Sequence, residues 1–222
     1  MTIYPCSCHN VDNLIGGGFE TGVITQVYGE PTSGKTGLCL QLAVNVLRAG
    51  KRVVFIDTQK FPSERFAQIA GEDAQILARK MIVFEVTSFK HQTDALRDIK
   101  KIVSEDIGLI VFDSATVFYR LEQAKSQEIF LRRKLVNQIL FLLGLAKRYN
   151  LAVLMTNQIY ENAGTNEVMP IGGHILEQLS AVIVQFIKIG PDLRRAALKR
   201  HPSLPAGAAT EFRIAPKGLV DA

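Results

Sequence analysis

The sequence predicts an α/β fold, with a mostly parallel central sheet covered by helices and an antiparallel extension on its C-terminal edge. Three observations carry this. Apolar, β-branched runs alternate with helix-forming stretches over most of the chain. From Ala181 onward, strand signatures follow one another with no helix between them. The first strand enters Gly29-Glu30-Pro31-Thr32-Ser33-Gly34-Lys35-Thr36, which reads G-x-x-x-x-G-K-T.

The elements follow in order. Val11-Asp12-Asn13-Leu14-Ile15 runs into Gly16-Gly17-Gly18, a sharp turn before the first strand. Val23 to Tyr28 alternates and reads as that strand; Leu38 to Leu47 is apolar and reads as the helix after the glycine-rich loop. Arg52 to Asp57 is continuously apolar between its charged ends, the pattern of a strand buried on both faces. Pro62-Ser63-Glu64-Arg65 opens a short helix reaching Ala70, and Met81 to Val86 is a third strand. Thr93 to Val103 is amphipathic, with Leu96, Ile99 and Val103 on one side. Gly108 to Phe112 is a buried strand ending in Asp113, Ser126 to Tyr149 a long helix, and Leu151 to Thr156 a fifth strand ending at Asn157-Gln158. Ala181 to Ile189, Arg194 to Arg200 and Thr210 to Ala215 form the edge extension, with a turn at Gly190-Pro191-Asp192.

Composition narrows the class. With 222 residues, 47% hydrophobic and 21% charged, residues 1–222 are expected to form one domain with a sizeable core. No apolar run spans a bilayer: Ile139 to Leu145 stops at Lys147 and Arg148. Met1 to His9 lacks the basic start and apolar core of a signal peptide, so a soluble, cytoplasmic protein is expected. The Cys count of 3 argues against a disulfide framework. Cys6, Cys8 and His9 form a tight cluster with no second pair at zinc-finger spacing, so reduced thiols on a terminal arm are expected over a zinc site. Cys39 is expected in the core. The net charge of +5 leaves a polyanionic partner and an ordinary basic surface both open.

The glycine-rich loop carries the chemistry. Gly29 and Gly34 let the backbone bend so that N–H groups point at anionic oxygens, and the helix N-terminus that follows adds partial positive charge. Residues Gly29 through Gly37 are therefore the candidate nucleotide-phosphate cradle. Within it Lys35 reaches the outer phosphates and Thr36 ligands Mg²⁺. Ligands of open α/β sheets sit beyond the carboxyl ends of the strands. Those ends are Gly29, Asp57, Asp113 and Asn157-Gln158. Leu109-Ile110-Val111-Phe112-Asp113 is an apolar strand closing on an acid, the Walker B pattern, and assigns Asp113 to the Mg²⁺ shell. Gln158 is a candidate for sensing a γ-phosphate and passing the signal to the next loop.

Together these motifs resemble the RecA-like recombinases with their P-loop ATPase core, most closely the archaeal RadB branch, small paralogues of RadA. The resemblance rests on Asp12 to Gly18, on Val27 to Thr36, and on Phe112-Asp113-Ser114-Ala115-Thr116 followed by Tyr119-Arg120. It is completed by Met155-Thr156-Asn157-Gln158 and Pro170-Ile171-Gly172-Gly173. It implies an ATP- and Mg²⁺-binding protein of DNA repair and homologous recombination, with Arg65 stacked on adenine and Lys35 and Gln158 in catalytic roles. It also implies DNA-binding loops after Arg120 and before Pro170. The chain resembles the ATPase core alone, without the N-terminal DNA-binding domain or polymerisation motif of RadA.

Two departures shape the expectation. The family glutamate that activates water falls in D-T-E-G, which here is Asp57-Thr58-Gln59-Lys60. An amide cannot act as general base, so ATP binding with weak or absent hydrolysis is expected. The loop from Ile159 to Met169 is short and carries Glu161 and Glu167 but no basic residue, so DNA contact is expected elsewhere. One candidate set is Arg120, Lys125, Arg132, Arg133 and Lys134; the other is Arg194, Arg195, Lys199, Arg200 and His201. The resulting expectation is an accessory protein that binds DNA, single-stranded rather than duplex, and assists a RadA-type recombinase, with monomer or dimer both open. A strand-exchange ATPase and a clock- or helicase-type ring ATPase are the alternatives at this point.

Overall fold

The computed structural model describes residues 1–123, 128–161, 168–172 and 174–222, and for residues 128, 161, 168, 169, 174 and 175 the backbone alone. The chain opens with β1 (Ile3–Tyr4), α1 (His9–Leu14) and β2 (Phe19–Glu20). It continues through β3 (Ile24–Gly29), α2 (Lys35–Arg48), β4 (Arg52–Asp57), α3 (Ser63–Ala70), α4 (Ala74–Ala78), β5 (Met81–Glu85), α5 (Phe89–Ile102) and β6 (Ile107–Asp113). Next come α6 (Val117–Gln123), α7 (Glu128–Tyr149), β7 (Ala152–Asn157), β8 (Ile159–Glu161), β9 (Val168–Pro170) and α8 (His174–Leu179). The chain closes on β10 (Val182–Lys188), β11 (Leu193–Arg200), β12 (Ala209–Ala215) and β13 (Gly218–Asp221).

Among the described residues one nine-stranded sheet runs β13-β12-β11-β10-β3-β7-β6-β4-β5. From β10 to β5 every neighbouring pair is parallel. From β10 to β13 every pair is antiparallel, as the helix-free C-terminal stretch predicts. The parallel part needs both faces covered, and the strand side chains divide accordingly. Val53 and Phe55 of β4 with Leu109 and Val111 of β6 pack in the layer that holds α2. Val54, Ile56, Ile110 and Phe112 point the other way, into the layer of α5 and α7. That division is why β4 and β6 read as unbroken apolar runs.

Some boundaries differ from the sequence expectation. Helix α5 begins at Phe89, because Ser88 Oγ accepts from the His91 N–H at 3.0 Å and caps it. Its first turn, Lys90-His91-Gln92, is polar and hides the periodicity there. The stretch after Arg120, expected as a loop, continues as α6 to Gln123.

The N-terminus is not a loose arm, which corrects that expectation. Cys6 and Cys8 are free thiols buried in the core. Asp12 Oδ1 and Oδ2 accept from the N–H groups of Cys6 and Ser7 at 2.8 and 2.9 Å. Asp221 on β13 accepts from the Asn10 N–H at 2.8 Å and the Cys8 thiol at 3.4 Å, and its Oδ2 lies 3.0 Å from His9 Nδ1. Burial pushes the Cys8 thiol up to about 12, so it stays protonated. No group of His, Cys, Asp and Glu among the described residues is placed to hold a metal. Gly18 does make the expected sharp turn: its φ is 140°, and a Cβ there would lie 2.6 Å from Tyr4 O.

Candidate functional site

Strand β3 delivers the phosphate loop at its carboxyl end, and α2 takes the chain away from it. Gly29 has no room for a side chain, since a Cβ would lie 2.2 Å from the Phe186 carbonyl on β10. Gly34 caps α2 in the left-handed region at φ 105°. Thr32 is also left-handed, at φ 62°, which is costly for a residue with a Cβ. The Ser33 N–H turns into the loop and meets Glu30 O at 3.3 Å.

Lys35 lies across this loop. Its ammonium donates to Gly29 O at 2.8 Å, Glu30 O at 2.7 Å and Ser33 Oγ at 3.3 Å. Burial lowers its pKa, while the carboxylate of Asp113 pulls the other way.

Asp113 closes β6 beside this lysine. Its Oδ2 accepts from Thr36 Oγ1 at 2.6 Å, and its Oδ1 accepts from the hydroxyl of Thr156 on β7. Asp57 is its register partner on β4 and is only 3% exposed. Burial first, then the Asp113 charge, pushes the Asp57 carboxyl up to about 6. Asp57 Oδ2 is buried with no hydrogen-bond partner.

Beside the loop lies a cavity of about 570 Å³, bounded by Thr32, Lys35, Thr36 and Arg65. That volume suits a nucleotide-sized ligand. Arg65 forms part of the wall: its guanidinium donates to Ala215 O at 2.6 Å and Pro216 O at 2.8 Å, tying α3 to the β12–β13 turn. Gln59 is exposed just past β4, and its N–H bonds the Asp57 carboxylate. Gln158 follows β7 half-buried, with its carbonyl accepting from the Ile171 N–H at 3.0 Å.

The structure thus brings Lys35, Thr36 and Asp113 together and places Gln59 and Gln158 at neighbouring strand ends. Thr156 and the Asp57 carboxyl complete the centre. The sequence names Asp57 only as a strand end, and nothing in its pattern marks the Thr156 hydroxyl.

The basic sets fare differently. Arg120 on α6 and Arg132, Arg133 and Lys134 on α7 are exposed, with the Lys134 ammonium 4.3 Å from the Phe130 ring centre. Lys125, Glu167 and Gly173 lie outside the described residues. The second set does not form one patch. Arg194 is buried and bonded to backbone carbonyls, among them Thr32 O of the phosphate loop, which removes it from any DNA-facing surface. Arg195 is exposed and pairs with Glu211 at 3.0 Å. Lys199 and Arg200 lie at the opposite end of β11, roughly 15 Å away at the usual rise per strand residue. There Arg200 donates to Glu177 O at 3.0 Å, and His201 Nδ1 accepts from the N–H groups of Ser203 and Leu204 at 3.1 Å.

A phosphate loop closing β3 in the parallel part of the sheet, answered across the strand ends by Asp113, defines a RecA-like phosphate-loop core. Within that class the chain belongs to the Rad51 family, whose profile matches residues 2–222. It is 46% identical to the DNA repair and recombination protein RadB of Methanococcoides burtonii, over 96% of this chain and 95% of that protein. It is 45% identical to the protein of the same name from Methanoculleus marisnigri, over 94% and 93%. A crystal structure of the RadB recombinase superposes with a TM-score of 0.86 at 34% identity, covering 99% of this chain and 100% of that one. The resemblance read from the motifs is borne out, as is the mostly parallel sheet with its antiparallel C-terminal edge.

Proposed function

We propose that this protein is an ATP-binding accessory factor of DNA repair and homologous recombination, one that binds DNA and assists a RadA-type recombinase. The observation that carries the reading is the Thr36–Asp113 contact beside the Lys35 ammonium, set at the mouth of a nucleotide-sized cavity. Mg²⁺–ATP fits the residues present. Gly29 to Gly37 would hold the phosphates, with Thr36 and Asp113 serving the metal and Arg65 walling the cavity. Bound Mg²⁺ would supply charge neutralisation at the outer phosphates. Gln59 can orient a water molecule but cannot take its proton, so binding is expected to outrun hydrolysis. Arg120, Arg132 and Arg133, with Arg195 and Lys199 as two further positions at opposite ends of β11, are the residues proposed for DNA phosphates. Single strands are favoured over duplex because the exposed Phe130 beside Lys134 offers a base a stacking face.

A cytoplasmic setting fits a partner of DNA, and no described helix is long and apolar enough to cross a membrane. A second reading, a DNA-stimulated ATPase, is favoured by one observation: Asp57 offers a buried, unpartnered carboxyl oxygen next to Asp113. Titration of fluorescent ATP and of labelled single-stranded DNA tests the first reading. Mg²⁺-dependent ATP binding lost in Lys35→Ala supports it; no ATP binding by the natural protein refutes it.

A further inference from the structure

Arg194 is one of the most buried charged groups of the protein, 6% exposed on the first turn-proximal stretch of β11. A guanidinium taken out of water needs acceptors on every side, and here they are backbone carbonyls. Nη1 donates to Gly190 O at 2.8 Å and Pro191 O at 3.3 Å in the β10–β11 turn, and to Leu193 O at 2.9 Å at the start of β11. Nη2 reaches across the sheet to Thr32 O at 3.2 Å, a partner 162 residues away in sequence. Nε is buried with no hydrogen-bond partner. The neighbouring carboxylate, Asp192, is bonded to Arg213 at 3.0 Å.

The residue it grasps has a backbone that needs holding. Thr32 sits at φ 62°, a conformation that a residue with a Cβ leaves unless its surroundings fix it. The Thr32–Ser33 peptide is planar, so fixing the direction of its carbonyl fixes the opposite direction of its N–H. With Thr32 O held outward by Arg194, the Ser33 N–H is held inward, where it meets Glu30 O at 3.3 Å. That same Glu30 carbonyl accepts the Lys35 ammonium at 2.7 Å. The turn of the loop and the direction of Lys35 therefore share one chain of contacts that begins at Arg194. Gly29, pressed against the Phe186 carbonyl of β10, gives the loop a second attachment to the same hairpin.

We infer that Arg194 is a positioning residue for phosphate binding, locking the Thr32–Ser33 turn of the phosphate loop to the β10–β11 turn. The inference rests on the nucleotide-binding reading above and deepens it. Arg194 touches no phosphate itself. It sets the direction of the Ser33 N–H, which the nucleotide-binding reading assigns to the phosphate cradle, and it makes the edge hairpin a structural support of that site.

The test compares Mg²⁺–ADP with AMP, because AMP lacks the β-phosphate that the loop cradles. Affinities for both are measured by fluorescent-nucleotide titration on the natural protein, Arg194→Met, Arg194→Lys and Lys35→Ala, with a thermal melt of each. Arg194→Met, of similar length and apolar, is expected to melt cooperatively and to lose about tenfold of the preference for ADP over AMP. Arg194→Lys keeps the charge but loses the fork, and is expected to recover little of that preference. Unchanged preference in a folded Arg194→Met overturns the inference, and so does equal weakening of ADP and AMP, the mark of a structural role alone. Full recovery in Arg194→Lys overturns it as well, since charge without geometry would then suffice. If Arg194→Met does not fold, Arg194→Lys decides: a reduced preference supports the inference and an unchanged one overturns it. Absence of any ADP preference in the natural protein defeats the nucleotide-binding reading and this inference together. A preference lost in Lys35→Ala but kept in a folded Arg194→Met defeats this inference alone.

Discussion

The Thr36 hydroxyl donates to Asp113 Oδ2 at 2.6 Å, joining the first turn of α2 to the carboxyl end of β6 across 77 residues of sequence. Neither residue is placed by its own element alone. Thr36 is fixed because Gly34 ends the loop in a left-handed turn, and Asp113 because β6 pairs in register with β4 and β7. An oxygen from each is what a Mg²⁺ ion at the outer phosphates requires. Replacing either by alanine is therefore expected to lower ATP affinity by about ten- to a hundredfold when Mg²⁺ is present, the usual range for a charge-assisted contact. In EDTA the loss should be small. Calorimetric titration in the two buffers checks this, and equal losses in both would show that the contact serves the fold rather than the metal.

Asp57 makes the stability depend on pH in a defined sense. Its carboxyl is pushed from 3.8 up to about 6 in the folded protein, mainly by burial and then by Asp113. As pH rises from about 4 to about 6 the unfolded chain releases this proton first, so the folded state loses stability across that window. Asp57→Asn removes the effect. Without Mg²⁺ or nucleotide, the variant should match the natural protein near pH 4 and exceed it by on the order of 2–3 kcal/mol at pH 7. Urea melts at a series of pH values measure the difference, and a constant difference across the series would contradict the assignment.

Gln41 and Leu219 make a reciprocal pair inside the protein. The amide nitrogen donates to Leu219 O at 3.0 Å, and the amide oxygen accepts from the Leu219 N–H at 2.6 Å. This side chain stands in for a neighbouring strand along β13. Gln41→Leu leaves both backbone groups buried and unpaired, and is expected to cost about 2–6 kcal/mol, at roughly 1–3 kcal/mol for each orphaned group. A denaturant midpoint within error of the natural protein would refute it.

The exposed arginines on α6 and α7 should act on DNA through charge. Arg120→Ala, Arg132→Ala and Arg133→Ala are each expected to weaken single-stranded DNA binding and to reduce the slope of log affinity against log salt by about 0.7. Arg194→Met should leave that slope unchanged, since its guanidinium is buried. Fluorescence anisotropy over a salt series checks both. Affinity independent of salt would remove these residues from the DNA interface.

Much of the fold was legible because its signals are local. Gly29 to Thr36 announces itself by residue type and spacing, and Val53 to Ile56 shows by unbroken apolarity that both faces are covered. The short β13 gave no such signal: its place depends on Gln41, 178 residues away in the chain. Asp221 illustrates the same limit, since its role in holding the N-terminal segment appears only when β13 meets α1. Arg194 and Arg195 are identical letters side by side. Alternation along β11 buries the first and exposes the second, and a charge count cannot separate them. The site was half legible for the same reason: Lys35 and Asp113 sit in motifs, whereas Thr156 reaches Asp113 only because β7 lies next to β6.

On the function proposed, this protein keeps the nucleotide site of its family and carries an amide, Gln59, where water activation needs a carboxylate. ATP hydrolysis at saturating Mg²⁺ and single-stranded DNA, compared between the natural protein, Gln59→Glu and Lys35→Ala, tests it most directly. The natural protein is expected to bind ATP yet scarcely turn it over, Gln59→Glu to raise the rate by about tenfold or more, and Lys35→Ala to bind poorly. Robust, DNA-stimulated turnover by the natural protein that is lost in Lys35→Ala would contradict it, and would assign the base to another carboxylate, with Asp57 the first to examine.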